Sequence, residues 1–190
     1  AAAAAACAGI IFGMNLVKVS EALAGYKPAP SRMEIMPGLR ESFVIDDSYN
    51  ASLLSMQAGL HTLSDLPGKR KVAILGDMLE LGAYSMEAHE KLGAMAAQCV
   101  DLLITVGPRA KLISEEVKKS RFAKRNIYEF ATVEDAKVPV ADLIKKGDLI
   151  LVKGSRGVRL DELVEVLRAE PQLTAAQTQG AMEGRGIKEA

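Results

Sequence analysis

Four short polar segments carry most of the chemistry available to this chain of 190 residues. Asp46-Asp47-Ser48-Tyr49-Asn50 places two carboxylates side by side. Such a pair can hydrogen-bond ribose hydroxyls or help hold Mg²⁺ through water. The same residue types also cap helices, so capping of a helix over 52–65 is the competing expectation. Leu75-Gly76-Asp77-Met78-Leu79-Glu80-Leu81-Gly82 combines glycines that permit close backbone approach with two acids. Asp77 and Glu80 either orient a ligand or metal or stand as solvent-facing loop acids. Val106-Gly107-Pro108-Arg109 reads as a tight turn followed by a surface cation. Val152-Lys153-Gly154-Ser155-Arg156-Gly157 offers two cations, a hydroxyl and flexible backbone amides, a set that suits an anionic ligand.

Several chemistries lack their residues. The only Gly-Lys pair, Gly68-Lys69, continues into Arg70, so no GxxxxGK[ST] phosphate loop occurs. GxGxxG after a strand, GxSxG, HExxH and zinc-type Cys/His spacings are missing too. His61 falls on a helical pattern and is expected partly exposed, and His89 is expected on a second helix. The two cysteines, Cys7 and Cys99, sit in apolar surroundings and read as buried free thiols. With 24 basic and 24 acidic side chains the net charge is zero. That argues against nucleic acid or anionic membrane as a partner, since either calls for a basic excess.

These segments need a scaffold, and the apolar pattern supplies one. Lys71–Leu75, Leu102–Val106 and Leu149–Val152 are continuous apolar runs, as expected of strands buried on both faces. Each soon meets a glycine and then a helical pattern, over roughly 86–98, 109–119 and 160–168. Asn126–Phe130 is a weaker strand. Thr132 and Asp135 suit a capping box for a helix over 133–146, where Pro139 predicts a kink or two short helices. Met33–Met36 and Ser42–Ile45 flank Pro37-Gly38 as a hairpin, and Leu53, Met56, Leu60 and Leu63 form one helical stripe. The alternation predicts an α/β fold with a mainly parallel, doubly wound sheet. In such a sheet ligands bind beyond the carboxyl ends of the strands, where the polar segments fall.

The chain opens AAAAAACAGIIFGM, a run too short for a membrane span and without the basic start of a signal peptide. It reads as a buried helix, followed by a second helix that ends at Gly25. Tyr26–Arg32, with Pro28 and Pro30, reads as a semi-rigid linker. Residues 1–29 are therefore expected to belong to a separate domain that extends upstream, 30–168 to one whole domain, and 169–190 to a loosely ordered tail.

Taken in order, Pro30-Ser31-Arg32-Met33-Glu34, Val44–Ala51, Ile74–Gly82 and Leu151–Gly157 resemble the Mur ligases. The resemblance runs over about residues 1–168 and leans toward the branch that joins D-Ala-D-Ala to a UDP-MurNAc-tripeptide. It implies a cytoplasmic, monomeric enzyme of peptidoglycan precursor synthesis. Residues 1–29 would be the last two helices of a central P-loop ATP-binding domain. Residues 30–168 would be a Rossmann-like C-terminal domain that closes over ATP and brings the incoming amino compound. The implied partners are ATP, Mg²⁺, UDP-MurNAc-tripeptide, D-Ala-D-Ala and the enzyme's own N-terminal and central domains, without nucleic acid or membrane insertion. The reaction would pass through an acyl phosphate, and this chain alone would be inactive.

Position by position, the resemblance implies that Arg32 reaches the ATP phosphates and Asp47 holds the ribose. Tyr49 and Asn50 would flank the same nucleotide, while Lys153, Ser155 and Arg156 would meet the dipeptide. It leaves Asp77 and Glu80 without a role, names no metal ligand, and marks no residue here as catalytic. Two positions depart from the family pattern. Ala51-Ser52-Leu53 replaces Ala-Asn-Pro, with Ser52 still able to cap the helix, and Ser31-Arg32 replaces Gly-Arg. A sister ligase for another amino acid or for folylpolyglutamate, and a nucleotide-binding module without catalysis, are the alternatives.

Overall fold

The computed structural model describes residues 2–27 and 29–169, so nearly all of the expected tail lies outside the described residues. The chain divides into two compact units after Pro30. The first unit contains helices α1 (Ala2–Ile11) and α2 (Leu16–Ala24). The Asn15 side chain accepts the Lys18 N–H at 2.9 Å and starts α2, and Gly25 ends it. No residue of α1 is buried in its own unit. Cys7 is accordingly exposed, against the expectation of a buried thiol. Cys99 is half-buried, and its loss of solvent pushes the thiol above its ordinary value, which makes it a poor nucleophile.

The second unit contains β1 (Glu34–Gly38), β2 (Ser42–Asp47), α3 (Leu53–Asp65), β3 (Arg70–Gly76) and α4 (Ser85–Cys99). It continues with β4 (Leu102–Val106), α5 (Lys111–Lys119), β5 (Ile127–Phe130), α6 (Val133–Leu143), β6 (Asp148–Lys153) and α7 (Asp161–Leu167). The sheet order is β1-β2-β6-β3-β4-β5. The β1–β2 pair is antiparallel, with Met36 opposite Val44, and every other pair is parallel. Pro37 is tolerated in β1 because β1 is an edge strand and can spare an N–H.

Strand alternation sorts the core into two layers. Ile45, Ala73, Leu75, Leu103 and Leu151 pack under α3, α4 and α5. Val44, Val72, Ile74, Ile104, Ile150 and Val152 pack under α6 and α7. Both sides of each central strand are covered, which is why those strands read as unbroken apolar runs. Ser52 caps α3 in a reciprocal capping box with Ser55, so neither Asp46, Asp47 nor Asn50 is needed as a cap. Thr132 caps α6 by accepting the Asp135 N–H at 3.2 Å. Pro139 lies inside α6, which runs on as a single helix, so of the kink or two short helices expected the division into two does not occur. The missing proline N–H costs α6 one backbone bond, and packing of Val133, Ala136 and Val140 into the core holds the helix together regardless.

Candidate functional site

The five parallel strands end at one edge of the sheet. From β2 and β3 the chain leaves toward the α3–α4 layer, and from β6 it leaves toward α7. The loops after β6 and its two neighbours therefore diverge and open a crevice, the place where open α/β sheets bind ligands. A cleft of about 190 Å³ lies there. Tyr49 and Asn50 line it from the β2 loop, Leu79 and Glu80 from the β3 loop, and Ser155 and Arg156 from the β6 loop. A larger hollow beside Phe122, of about 510 Å³, lies between α4 and α5. Another of about 350 Å³ lies beside Phe43 and Gly147 at the opposite, amino end of the strands.

The β2–β6 register sets Asp47 opposite Lys153. The Lys153 ammonium donates to Asp47 Oδ2 at 2.6 Å and to the Asn50 carbonyl at 3.0 Å. Its side chain is only 2% exposed. A buried ammonium needs this pairing, because desolvation alone would disfavour its charge. Lys153 thus fixes the β2 loop and aims Asp47. Asp46 turns inward and accepts the Ser48 N–H at 3.0 Å and the Ser48 hydroxyl at 2.6 Å. The Arg32 guanidinium lies over the Tyr49 ring, 4.1 Å from its centroid, a cation–π contact at the cleft rim.

Three polar side chains brace the β3 loop. Asp77 is buried, and its Oδ1 accepts the backbone N–H groups of Arg109 at 2.9 Å and Ala110 at 2.6 Å. It thereby satisfies amides at the start of α5 from another strand's loop. Buried Ser155 accepts the Leu79 N–H on its hydroxyl at 3.0 Å, while its own N–H donates to the Asp77 carbonyl at 2.9 Å. His89, fully buried, accepts the Met78 N–H on Nε2 at 3.1 Å. Its Nδ1 lies 2.6 Å from the Ser85 carbonyl, which can only accept. The ring is therefore neutral with its proton on Nδ1. Gly76 and Gly154 let β3 and β6 end in close approach: a Cβ on Gly154 would stand 3.0 Å from the Gly76 Cα.

The structure thus brings Arg32, Asp47, Tyr49, Asn50, Lys153, Ser155, Arg156 and Glu80 to one end of the sheet. It assigns Asp77, Ser155 and His89 a bracing task that the sequence did not disclose. From sequence Ser155 belongs to an anion-binding loop that meets the dipeptide, and His89 to a helix that could face a cleft. The partners of all three are backbone amides, which leave no trace in residue type.

Residues 31–156 match the family described as Mur ligase, glutamate ligase domain. The chain belongs to the Mur ligase family. It is 35% identical, over 90% of its length, to the UDP-N-acetylmuramoyl-tripeptide–D-alanyl-D-alanine ligase of Bacillus subtilis, and spans 37% of that protein. It is 33% identical, over 88% of its length, to the enzyme of the same name from Escherichia coli, and spans 36% of it. MurF from Acinetobacter baumannii superposes with a TM-score of 0.71 at 27% identity, covering 86% of this chain and 35% of that one. MurF from Thermotoga maritima, solved in complex with ADP, gives 0.67 at 27% identity, covering 95% of this chain and 37% of that one. The chain therefore spans little more than a third of these relatives.

One departure from the Mur ligase pattern now has a physical meaning. Ser31, where the resemblance implies glycine, has a φ of 58°, in the left-handed region that glycine occupies without cost. Ser31→Gly is expected to stabilise the second unit by about 1 kcal/mol, read from urea midpoints of the 190-residue chain. An unchanged midpoint would show that the backbone there is not strained.

Proposed function

We propose that this chain is the C-terminal part of a cytoplasmic, monomeric, ATP-dependent amide ligase that adds D-Ala-D-Ala to UDP-MurNAc-tripeptide in peptidoglycan precursor synthesis. The observation that carries this is the identity over 90% of the chain to a ligase named for that reaction. The ADP held by a structural relative supports the nucleotide part of the reading. No helix among the described residues is long and apolar enough to cross a membrane.

In this reading ATP phosphorylates the carboxylate that ends the tripeptide. The amine of D-Ala-D-Ala attacks the acyl carbon, the new C–N bond forms, and the C–O bond to phosphate breaks. Such chemistry depends on bringing reactants together and neutralising charge. Asp47, with Oδ2 committed to Lys153, has Oδ1 to offer the ribose. The Tyr49 ring is 44% exposed and presents an aromatic surface beside the nucleotide. Arg32, parked over that ring, would be the cation that moves onto the phosphates. Arg156, exposed and 3.6 Å from Asp161, takes the dipeptide carboxylate. Ser155 and Lys153 shape the cleft from below. Asp46 and Asp47 do not fit a magnesium site, since Asp46 is turned inward onto Ser48 and the Lys153 ammonium on Asp47 opposes a second cation there. Mg²⁺ would arrive with the ATP phosphates, without a ligand from this pair. Residues 1–29 complete the ATP-binding domain from which the rest of the nucleotide site would come.

Arg156→Ala in the full-length protein is expected to raise the KM for D-Ala-D-Ala about tenfold and leave the KM for ATP within about twofold. Steady-state kinetics decide it, and an unchanged dipeptide KM would contradict the role given to Arg156.

A further inference from the structure

The cleft holds an acid whose place in the reaction is open. Glu80 lines it together with Arg156, and the Glu80 side chain has no hydrogen bond or ion pair among the described residues. The loop that carries Glu80 is nonetheless built to stay in place. Its amides at Met78 and Leu79 are held by His89 and Ser155, and Asp77 anchors its start to α5. The Arg109 guanidinium also donates to the Leu79 carbonyl, at 3.2 Å. Three buried polar side chains thus fix a loop whose outward product is one free carboxylate on the cleft wall. Burying polar groups for this purpose is costly unless each is satisfied, and here each is.

The cleft therefore offers one cation and one anion on facing loops. An anion alone would be repelled by Glu80, and a cation alone by Arg156. A zwitterion satisfies both. We propose that Glu80 is the group that receives the ammonium of the incoming amino compound while Arg156 receives its carboxylate. The pair selects a short peptide with both termini free. This rests on the ligase reading given above and adds to it a recognition site for the amine end.

The test uses the full-length protein, with D-Ala-D-Ala as substrate and two blocked forms, N-acetyl-D-Ala-D-Ala and D-alanyl-D-alaninamide, as competitive inhibitors. Wild-type turnover of D-Ala-D-Ala comes first, and its absence would overturn the ligase reading and this inference with it. Given turnover, Glu80→Gln is expected to raise the dipeptide KM about tenfold while the inhibition constant of the N-acetyl form, an anion freed of its repulsion, stays the same or falls. Arg156→Ala should instead leave the amide's inhibition constant the same or lower. Glu80→Asp, which keeps the charge, should recover part of the loss. Glu80 is exposed, and thermal melts of both variants confirm that the fold is intact. A dipeptide KM unaltered in Glu80→Gln, or an equal loss of affinity for the N-acetyl form, would overturn the inference and leave the ligase reading standing.

Discussion

Replacing Lys153 by methionine is expected to destabilise the second unit by about 3 kcal/mol and to lower its melting temperature by about 10 °C. Methionine fills a similar volume, so packing in the layer below changes little. What goes is the one cation that faces Asp47 among the described residues. The Asp47 side chain is 15% exposed, so its carboxyl would be left without a partner in a poorly solvated place, and the Asn50 carbonyl would lose its donor. The cost falls on the partners left behind more than on the lost attraction. Removing the acid as well, in Lys153→Met with Asp47→Asn, should therefore recover at least about 1 kcal/mol. Urea unfolding of the four proteins of that cycle measures it. A single-variant loss below about 1 kcal/mol would mean that the pair is solvated and does not organise the β2 loop.

Gly107→Ala carries the second large effect, also near 3 kcal/mol. Gly107 has φ +113°, a conformation that an L side chain rarely adopts. A Cβ there would also run into the Asp77 carboxylate. Relieving that collision moves Asp77 away from the Arg109 and Ala110 amides and uncaps α5. Strain and the lost cap each contribute about 1–2 kcal/mol. Because Asp77 also begins the braced loop, hydrogen exchange at Met78 and Leu79 should quicken in this variant. Melting within about 2 °C of wild type would show that the turn relaxes without cost.

Much of the scaffold was legible because one physical signal dominates it. Strands buried on both faces must be apolar throughout, and Lys71–Leu75, Leu102–Val106 and Leu149–Val152 became β3, β4 and β6 within a residue or two. At Pro139 local propensity allowed either a kink or a break, and the α6–sheet contact decides against the break. Cys7 misled because α1 is apolar all round yet buries nothing within its own unit. The cleft was legible as a set of loops but not as a division of labour. Lys153 and Arg156 look alike as cations in one short segment, and only the β2–β6 register shows that Lys153 is committed to a residue 106 positions away. Asp77 and Glu80 look alike as loop acids, and one is buried under two amides while the other faces the cleft. Residue type announces charge; burial and backbone partners decide its use.

The proposed activity is amide formation with a dipeptide. The most direct measurement gives the full-length protein ATP, UDP-MurNAc-tripeptide and, separately, D-Ala-D-Ala, D-Ala or glutamate, and identifies the product by mass spectrometry alongside ADP and phosphate. One ADP and one phosphate are expected per amide bond, with the bond formed to D-Ala-D-Ala and to neither single amino acid. Amide formation with glutamate or D-Ala, and none with the dipeptide, would contradict the proposed activity.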